Sequence, residues 1–418
     1  MKKRALILSL TLLALFSLFG CAPSLRSSLP LCQRTVAINS QAEEAAIMAK
    51  ASLEVIEQNG EKLYVLHLRG TPYEMGYQHG KLMAQEIHNL YSRLFKVVNM
   101  MTKEDTRDEI YDLIDPYIPF EEKEEMRGLA HGAGISLKFV HWAHAIPEVA
   151  EYGGKKRFGE KNKELKQTSC SNLAAFGQAT KGGDLYQLRV LDWIRPLGAQ
   201  KCPLVIIHHP DKGNASATFS YAGFIGAITG MNDKGMAFGE MGYRDPPNED
   251  LRGIPFIFLF RKLMRETDSL AEAEAMIRSS QRTCSYAYMI SDHKSVNGPK
   301  ALLFIADRDR VIAFRDNTLL VDETDGHRDK YLPIVDVVYG GRYGDIMYKA
   351  LTREHGRINE HVLMEMTKEI SMESNMQNVV FRPSTLEAWI SNASMKSGDK
   401  GRACFQTWFR LDLKKMFK

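Results

Sequence analysis

The stretch from Ser171 to Met241 most limits what this chain can fold into. It is a succession of short apolar and β-branched runs: Ser171 to Thr180, Leu185 to Leu191, Pro203 to His209, Ala217 to Tyr221 and Met236 to Met241. Turn-forming groups separate them, among them Lys181-Gly182-Gly183-Asp184, Asp211-Lys212-Gly213-Asn214 and Asn232-Asp233-Lys234-Gly235. Gly, Asn and Asp accept the backbone conformations that tight hairpins need, so the spacing predicts a β-meander of antiparallel strands. Helical spacing lies in separate blocks. Before the meander it covers Gln41 to Glu57, a long segment from Met75 to Met101 carrying Leu82, Met83, Ile87, Leu90, Leu94 and Val97, and segments on either side of Pro116 and Pro119, with one strand at Lys62 to Leu68. After it come helices at Phe256 to Arg265, opened by Pro255, and at Leu270 to Arg278, capped by Asp268 or Ser269. Strands are expected again at Ser285 to Ser291, Ala301 to Ile305 and Val311 to Phe314, then a mostly helical stretch over about Tyr343 to Glu373 and a closing strand within Cys404 to Leu411. Strands and helices in blocks point to an α+β or layered sandwich fold. No Gly-rich strand-to-helix phosphate loop is present, which argues against a nucleotide-binding sheet.

Composition removes whole classes of function. Across 418 residues, 55 basic against 51 acidic side chains give a formal charge of +4, too even for the basic footprint of a nucleic-acid binder. Six cysteines without a CxxC pair make neither a disulfide scaffold nor a metal site, so no metal and no cofactor are expected. Cys202, Cys284 and Cys404 could still pair in an oxidising compartment, and no spacing says which. His208 and His209 are neighbours on a strand and must face opposite ways, which disfavours a shared ion.

Met1-Lys2-Lys3-Arg4, the apolar run Ala5 to Phe19 and then Gly20-Cys21 follow the order of a secretory signal, too short for a spanning helix. Leu18-Phe19-Gly20-Cys21 resembles a bacterial lipoprotein signal, which implies lipidation at Cys21 and attachment to a membrane of the cell envelope. Residues 1–20 are then the signal and 21–40 a flexible spacer. The remainder reads as a helix-rich leader over 41–169 and a strand-rich region over 170–418.

The chemistry concentrates where these two meet. Glu151 to Gln167 carries six basic residues and almost nothing apolar, the pattern of an exposed loop, and Cys170 follows at the head of the first strand. A thiol attacks at neutral pH only with a depressed pKa or a nearby base. The hairpin at Lys181 to Asp184 would return the next strand alongside, bringing Arg189 and Asp192 toward Cys170. Spacing alone is equally served by a half-buried cysteine beside a surface Arg and Asp pair.

Five segments, in order, resemble the acyl-coenzyme A:6-aminopenicillanic acid acyltransferase family, also called peptidase family C45. They are Gly70-Thr71-Pro72-Tyr73-Glu74-Met75-Gly76-Tyr77-Gln78-His79-Gly80, His131-Gly132-Ala133-Gly134, Cys170-Ser171, Arg189-Val190-Leu191-Asp192-Trp193 and Gly230-Met231-Asn232-Asp233-Lys234-Gly235. The resemblance implies an N-terminal nucleophile hydrolase: a four-layer αββα sandwich that cuts itself between Ser169 and Cys170. It also implies roles: Cys170 as nucleophile, its freed α-amine as base, Arg189 stabilising the thiolate, and Asp192 orienting the amine. Where relatives carry oxyanion asparagines, this chain reads Gly239-Glu240-Met241-Gly242-Tyr243 and Thr283-Cys284-Ser285-Tyr286, so Ser285 or a backbone N–H such as that of Gly242 is the replacement donor. Arg342 resembles a later family arginine, and a surface role accounts for it equally well. The expected partner is a small N-acyl or amide substrate; the alternative is an inactive envelope lipoprotein of the same fold that binds without catalysis. His79, His131 and Asn232 are read as packing, capping or turn residues.

Overall fold

Most strands of this protein are buried on both faces, so they form no half-exposed sheet. Residues 171–176, 203–209 and 286–292 are buried without alternation, the pattern of strands covered from both sides. The computed structural model describes residue 38 and residues 40–159, 170–193, 195–243, 248–296, 300–315, 332–341 and 343–418.

The leader opens with α1 (Gln41–Met48), β1 (Ser52–Gln58) and β2 (Glu61–Gly70), followed by α2 (Pro72–Leu82), α3 (Ala84–Met101), α4 (Glu104–Ile114), α5 (Phe120–Ala133) and α6 (Leu137–Gly159). Then come β3 (Ser171–Gly177), β4 (Gly183–Asp192), β5 (Pro203–Pro210), β6 (Ser216–Tyr221), β7 (Thr229–Asn232) and β8 (Met236–Gly242). They are followed by α7 (Phe256–Glu266), α8 (Leu270–Ser279), β9 (Tyr286–Asp292), β10 (Ala301–Ala306), β11 (Val311–Phe314) and β12 (Val337–Gly341). The chain closes with α9 (Gly344–Glu354), α10 (Glu360–Met366), β13 (Asn375–Arg382), β14 (Glu387–Asn392), β15 (Phe409–Asp412) and α11 (Leu413–Met416).

A nine-stranded sheet runs β1-β2-β5-β6-β7-β8-β9-β10-β11 and a six-stranded sheet runs β12-β3-β4-β13-β14-β15. Tyr91, Met126, Val140 and Phe258 of the helices join Leu66, Ile206, Phe238 and Tyr288 in one core on the outer face of the larger sheet. Met347, Leu351 and Leu363 join Leu173, Leu188 and Tyr339 on the outer face of the smaller one. Two further clusters fill the space between the sheets. The result is the expected α+β sandwich of four layers, helix, sheet, sheet, helix.

The expected meander is split in two. β3 and β4 pair with each other in the smaller sheet, whereas β5 to β8 belong to the larger one. β5 enters beside the leader's β2 in parallel register, Val65 opposite Val205 and His67 opposite Ile207. Sequence runs report that strands exist, while assignment to a sheet depends on partners remote in sequence. The helix expected over Gln41 to Glu57 stops at Met48, and Leu53 and Ile56 sit on β1. The long helix from Met75 breaks at Met83 (φ −114°, ψ 20°), where no Gly or Pro marks it. Part of the expected loop over Glu151 to Gln167 is helical, since α6 continues to Gly159. The helical block near Tyr343 holds, and β12, β13 and β14 were not anticipated. Cys170, Cys202, Cys284 and Cys404 are free thiols, so no disulfide joins the last three.

The two glycine-bearing leader motifs pack against each other. A side chain at Gly76 would strike the Glu125 carbonyl, at Gly80 the Leu129 carbonyl, at Gly128 the Tyr73 carbonyl and at Gly132 the Tyr77 carbonyl. α2 and α5 therefore meet backbone to backbone along two Gly-x-x-x-Gly stripes, which only glycine permits. Thr71 starts α2 with a capping box, its side chain accepting from the Glu74 N–H while Glu74 Oε2 accepts from the Thr71 N–H at 2.8 Å.

Candidate active site

Cys170 stands immediately before β3 and is buried. The predicted hairpin forms: β3 and β4 pair with Ser171 opposite Val190 and Asn172 opposite Arg189, turning through Gly182 and Gly183 at positive φ. On β4, Leu185 and Leu191 point between the sheets and Leu188 and Val190 point outward, so the strand's alternation sends Arg189 inward. Its Nη2 lies 3.5 Å from Cys170 Sγ. Its Nε donates to the Glu240 carbonyl at 3.2 Å, and its Nη2 is 3.6 Å from Glu240 Oε2. Asn172 Nδ2 donates to the same Glu240 carbonyl at 3.2 Å. Gly239 is required here, because a side chain on it would strike both Asn172 and the Arg189 stem.

Asp192 ends β4 with Oδ1 accepting from the Met372 N–H at 3.1 Å, while Oδ2 has no hydrogen-bond partner. Burial pushes its carboxyl up to about 7, against the Met372 amide, the Asn375 amide and Arg189, which favour the anion. Burial likewise pushes the Cys170 thiol up to about 12; Arg189 opposes this, while the negative charges of Glu240 and Asp192 add to it. In the uncut chain the thiol is thus neutral at pH 7, and Arg189 alone does not ionise it. Tyr221, whose hydroxyl feels the charge of Arg189, is buried with that hydroxyl unpartnered.

The structure therefore brings Cys170, Arg189 and Asp192 together and fully buries the pair that spacing alone could have left on a surface. Ser285 is buried and its N–H donates to Glu249 Oε1 at 3.1 Å. A side chain on Gly242 would meet the Glu151 carboxylate of α6. Ser169, Arg342 and Cys21 lie outside the described residues; next to Arg342, Gly341 pairs with Ser171. Asn232 is structural: its Nδ2 donates to the Met264 and Thr267 carbonyls at 3.1 and 3.0 Å, and its Oδ1 accepts from Met236 N–H at 3.0 Å. His208 faces Glu125 in the helix layer, 3.5 Å away, while His209 stacks on His67, so the two do face opposite ways.

Sequence reasoning missed Asn172, Glu240, Tyr221 and Asn375. Asn172 was accessible, two residues from Cys170 on an otherwise apolar strand and so on the same face. Asn375 was not, because it acts from an unrecognised strand. It lies opposite Asp192 across a bulge, donates to the Leu191 carbonyl at 3.2 Å and accepts from the Cys404 N–H at 2.9 Å.

Residues 179–321, which include Arg189, Asp192 and Glu240, match the family model for acyl-coenzyme A:6-aminopenicillanic acid acyl-transferase. This chain is similar to that family. Among curated proteins it is 30% identical to protein dcd1A of Dictyostelium discoideum over 61% of this chain and 60% of that one. It is 26% identical to an uncharacterized protein of Archaeoglobus fulgidus over 62% of this chain and 46% of that one. The chain thus spans about half to three fifths of the length of the curated relatives it matches. Similar solved structures include a Caenorhabditis elegans N-acylethanolamine-hydrolyzing acid amidase ortholog (12% identity, 58% of this chain and 100% of that one, TM-score 0.39). Another is penicillin V acylase from Agrobacterium tumefaciens (9% identity, 59% and 87%, TM-score 0.38).

Proposed function

We propose that this protein is a self-processing N-terminal cysteine hydrolase or acyltransferase that acts on linear amide bonds through an acyl-thioester at Cys170. One observation carries the reading: a buried cysteine at a strand head with Arg189 Nη2 at 3.5 Å and a neighbouring Asp192 that keeps one carboxylate oxygen free. In the first step the Cys170 sulfur attacks the Ser169 carbonyl carbon, the peptide C–N bond breaks, and the thiol proton passes to the departing nitrogen. Water then hydrolyses the thioester, leaving a carboxylate on Ser169 and a free thiol and α-amine on Cys170. An α-amine titrates near pH 7.7 to 8.0, so it supplies the base that the uncut site lacks. Asp192 Oδ2 is the acceptor available to that amine once it is protonated. An amide substrate then repeats the chemistry, with its acyl group on Cys170 Sγ and its amine leaving with the proton. The acyl group finally passes to water or to a second amine.

Intact-mass and amino-terminal analysis of the purified full-length protein tests this. Wild type is expected as two chains, one beginning at Cys170, and Cys170→Ala as one uncut, inactive chain. A Cys170→Ala protein still split before residue 170 would remove Cys170 from the cut. A wild-type protein that stays whole and hydrolyses no N-acyl amide would favour a binding lipoprotein instead. The reading includes lipid attachment at Cys21, with the protein on a membrane of the cell envelope. Metabolic labelling with a fatty-acid analogue that left wild type unlabelled would sink that part alone.

A further inference from the structure

The connection between β6 and β7, residues 222–228, borders the candidate site at both ends. It leaves β6 at Tyr221, which packs in the cluster that contains Cys170. It rejoins the sheet at Ile228, whose carbonyl accepts the Glu240 N–H at 3.0 Å, and the Glu240 carbonyl in turn holds Arg189 and Asn172. A loop this deep has backbone groups that no strand ladder satisfies, and each must find a partner.

Three side chains of the leader provide them. Gly223 N–H donates to His79 Nε2 at 3.0 Å, the Gly223 carbonyl accepts the Tyr91 hydroxyl at 2.7 Å, and Ile225 N–H donates to His144 Nε2 at 2.9 Å. These residues come from α2, α3 and α6 in turn. Gly223 holds φ +79°, and a side chain there would press on Tyr91 and Ile87, so the loop backbone lies directly on α3. His144 stacks on Phe224 and Phe258 with ring centroids 5.1 and 5.9 Å away, and its Nδ1 lies 2.8 Å from the Val140 carbonyl. That contact makes Nδ1 the protonated nitrogen and Nε2 the acceptor.

A ring nitrogen that accepts an N–H bond carries no proton, so the clamp works only while both imidazoles are neutral. Their surroundings enforce this. Burial holds His79 down to about 3 and His144 to about 4. The charged and titratable groups facing them are Glu125 of α5, His208 of β5, Arg261 of α7 and each other. Glu125 pulls upward on both histidines, Arg261, bonded to Glu125 Oε2 through Nη2 at 2.6 Å, opposes it at His79, and burial outweighs that pull at each ring.

We propose that His79 and His144 are positioning residues for the chemistry at Cys170: two neutral imidazoles of the leader fix the 222–228 loop and, through it, the Glu240 carbonyl that aims Arg189. The proposal rests on the reading of Cys170 as nucleophile and goes beyond it, because neither histidine touches the reacting atoms. It gives the leader a lasting task after the cut, as part of the wall of the working site, and it gives His79 of the Gly70 to Gly80 motif a purpose beyond packing.

The test uses the full-length chain with each histidine changed to Leu or to Gln. Glutamine can place an acceptor oxygen near the lost Nε2; leucine cannot. Each Leu variant is expected to produce the chain beginning at Cys170 roughly tenfold more slowly, the effect of one lost buried hydrogen bond. Hydrogen exchange at 222–228 should quicken while the strands on either side stay protected, and each Gln variant should stay within about twofold of wild type on both measures. Folded Leu variants that cut at the wild-type rate, or whose loop exchanges no faster, overturn the proposal. Should the Leu variants fail to fold, Tyr91→Phe removes only the hydroxyl bond to Gly223; cutting about threefold slower is then expected, and an unchanged rate with a loosened loop overturns the proposal equally. A wild-type chain never cut at Cys170 removes the nucleophile reading and this proposal with it. A wild-type chain that is cut, beside Leu variants cut as fast, removes this proposal alone.

Discussion

At one end of the space between the two sheets, Leu63, Val65, Val205, Phe219, Phe381 and Ile390 pack together and are fully or almost fully buried. At the other end Cys170 shares the space with Leu191, Tyr221, Met241 and Met376, and Arg189 and Asp192 are buried beside it. The same two sheets wall both ends, and the first is packed with apolar side chains, which gain from leaving water. The second contains Arg189 Nη1, Asp192 Oδ2 and the Tyr221 hydroxyl, each buried without a hydrogen bond. A buried polar atom left unpaired costs about 1–3 kcal/mol. The apolar end therefore stabilises the fold, and the Cys170 end draws on that stability to hold polar groups ready for a reacting molecule.

Removing a ring from the apolar end gives the largest effect. Phe381 is buried with its ring 5.3 Å from that of Phe219, at an interplanar angle of 79°. Phe381→Ala should cost about 3–5 kcal/mol, as expected for a ring deleted from a packed core. Denaturant unfolding of the uncut Cys170→Ala chain with and without the change measures this, and in the active chain the folded fraction should still cut at Cys170. A large loss of cutting in fully folded Phe381→Ala protein would show that the two ends are not separable.

The middle effect is at Asp192. In the uncut chain its carboxyl sits near 7 against an ordinary 3.8, so the folded form keeps a proton that the unfolded form releases between those values. By linkage, stability is full below about pH 4 and falls as pH rises toward 7, the reverse of a salt-bridged aspartate. In Cys170→Ala protein, Asp192→Asn should flatten that fall, read as Tm against pH. In the cut enzyme the same change should slow turnover by about 10- to 100-fold, since an amide does not stabilise the protonated α-amine. An unchanged pH profile of Tm would mean that Asp192 is ionised in the uncut chain.

The contrast between the ends also explains what could be read from the sequence. The strand runs, the hairpin at Gly182-Gly183 and the helices begun by Pro255 and Ser269 depend on local chemistry, and all appear near their expected places. Cys170, Arg189 and Asp192 were legible because a single hairpin joins them. Asn375 reaches Asp192 from 183 positions away because β13 pairs with β4 inside the smaller sheet. The parallel entry of β5 beside β2 is of the same kind, since a strand's partner across more than a hundred residues leaves no local trace. Glu240 escaped for a different reason: its backbone carbonyl, which any residue could present, is what holds Arg189 and Asn172.

The smallest effect separates stability from function at a single atom. Tyr221 belongs to the buried cluster that includes Cys170, Leu191 and Met241, and its hydroxyl, which feels the Arg189 charge, meets no partner. Burial pushes that hydroxyl's pKa well above the usual tyrosine value, so it remains a neutral donor throughout the working range. Tyr221→Phe deletes the oxygen and keeps the ring, which relieves the burial of an unsatisfied group and leaves packing intact. Stability should hold or rise by about 0.5–1 kcal/mol, measured by urea unfolding of the Cys170→Ala chain. If the hydroxyl is there for an incoming acyl group, turnover of an N-acyl amide should fall several-fold while the rate of the self-cut does not change. The self-cut takes its carbonyl from Ser169, which the chain itself delivers, so binding of an incoming acyl group is no part of it. A Tyr221→Phe enzyme that is less stable and equally active would place Tyr221 with the apolar end, as ordinary packing.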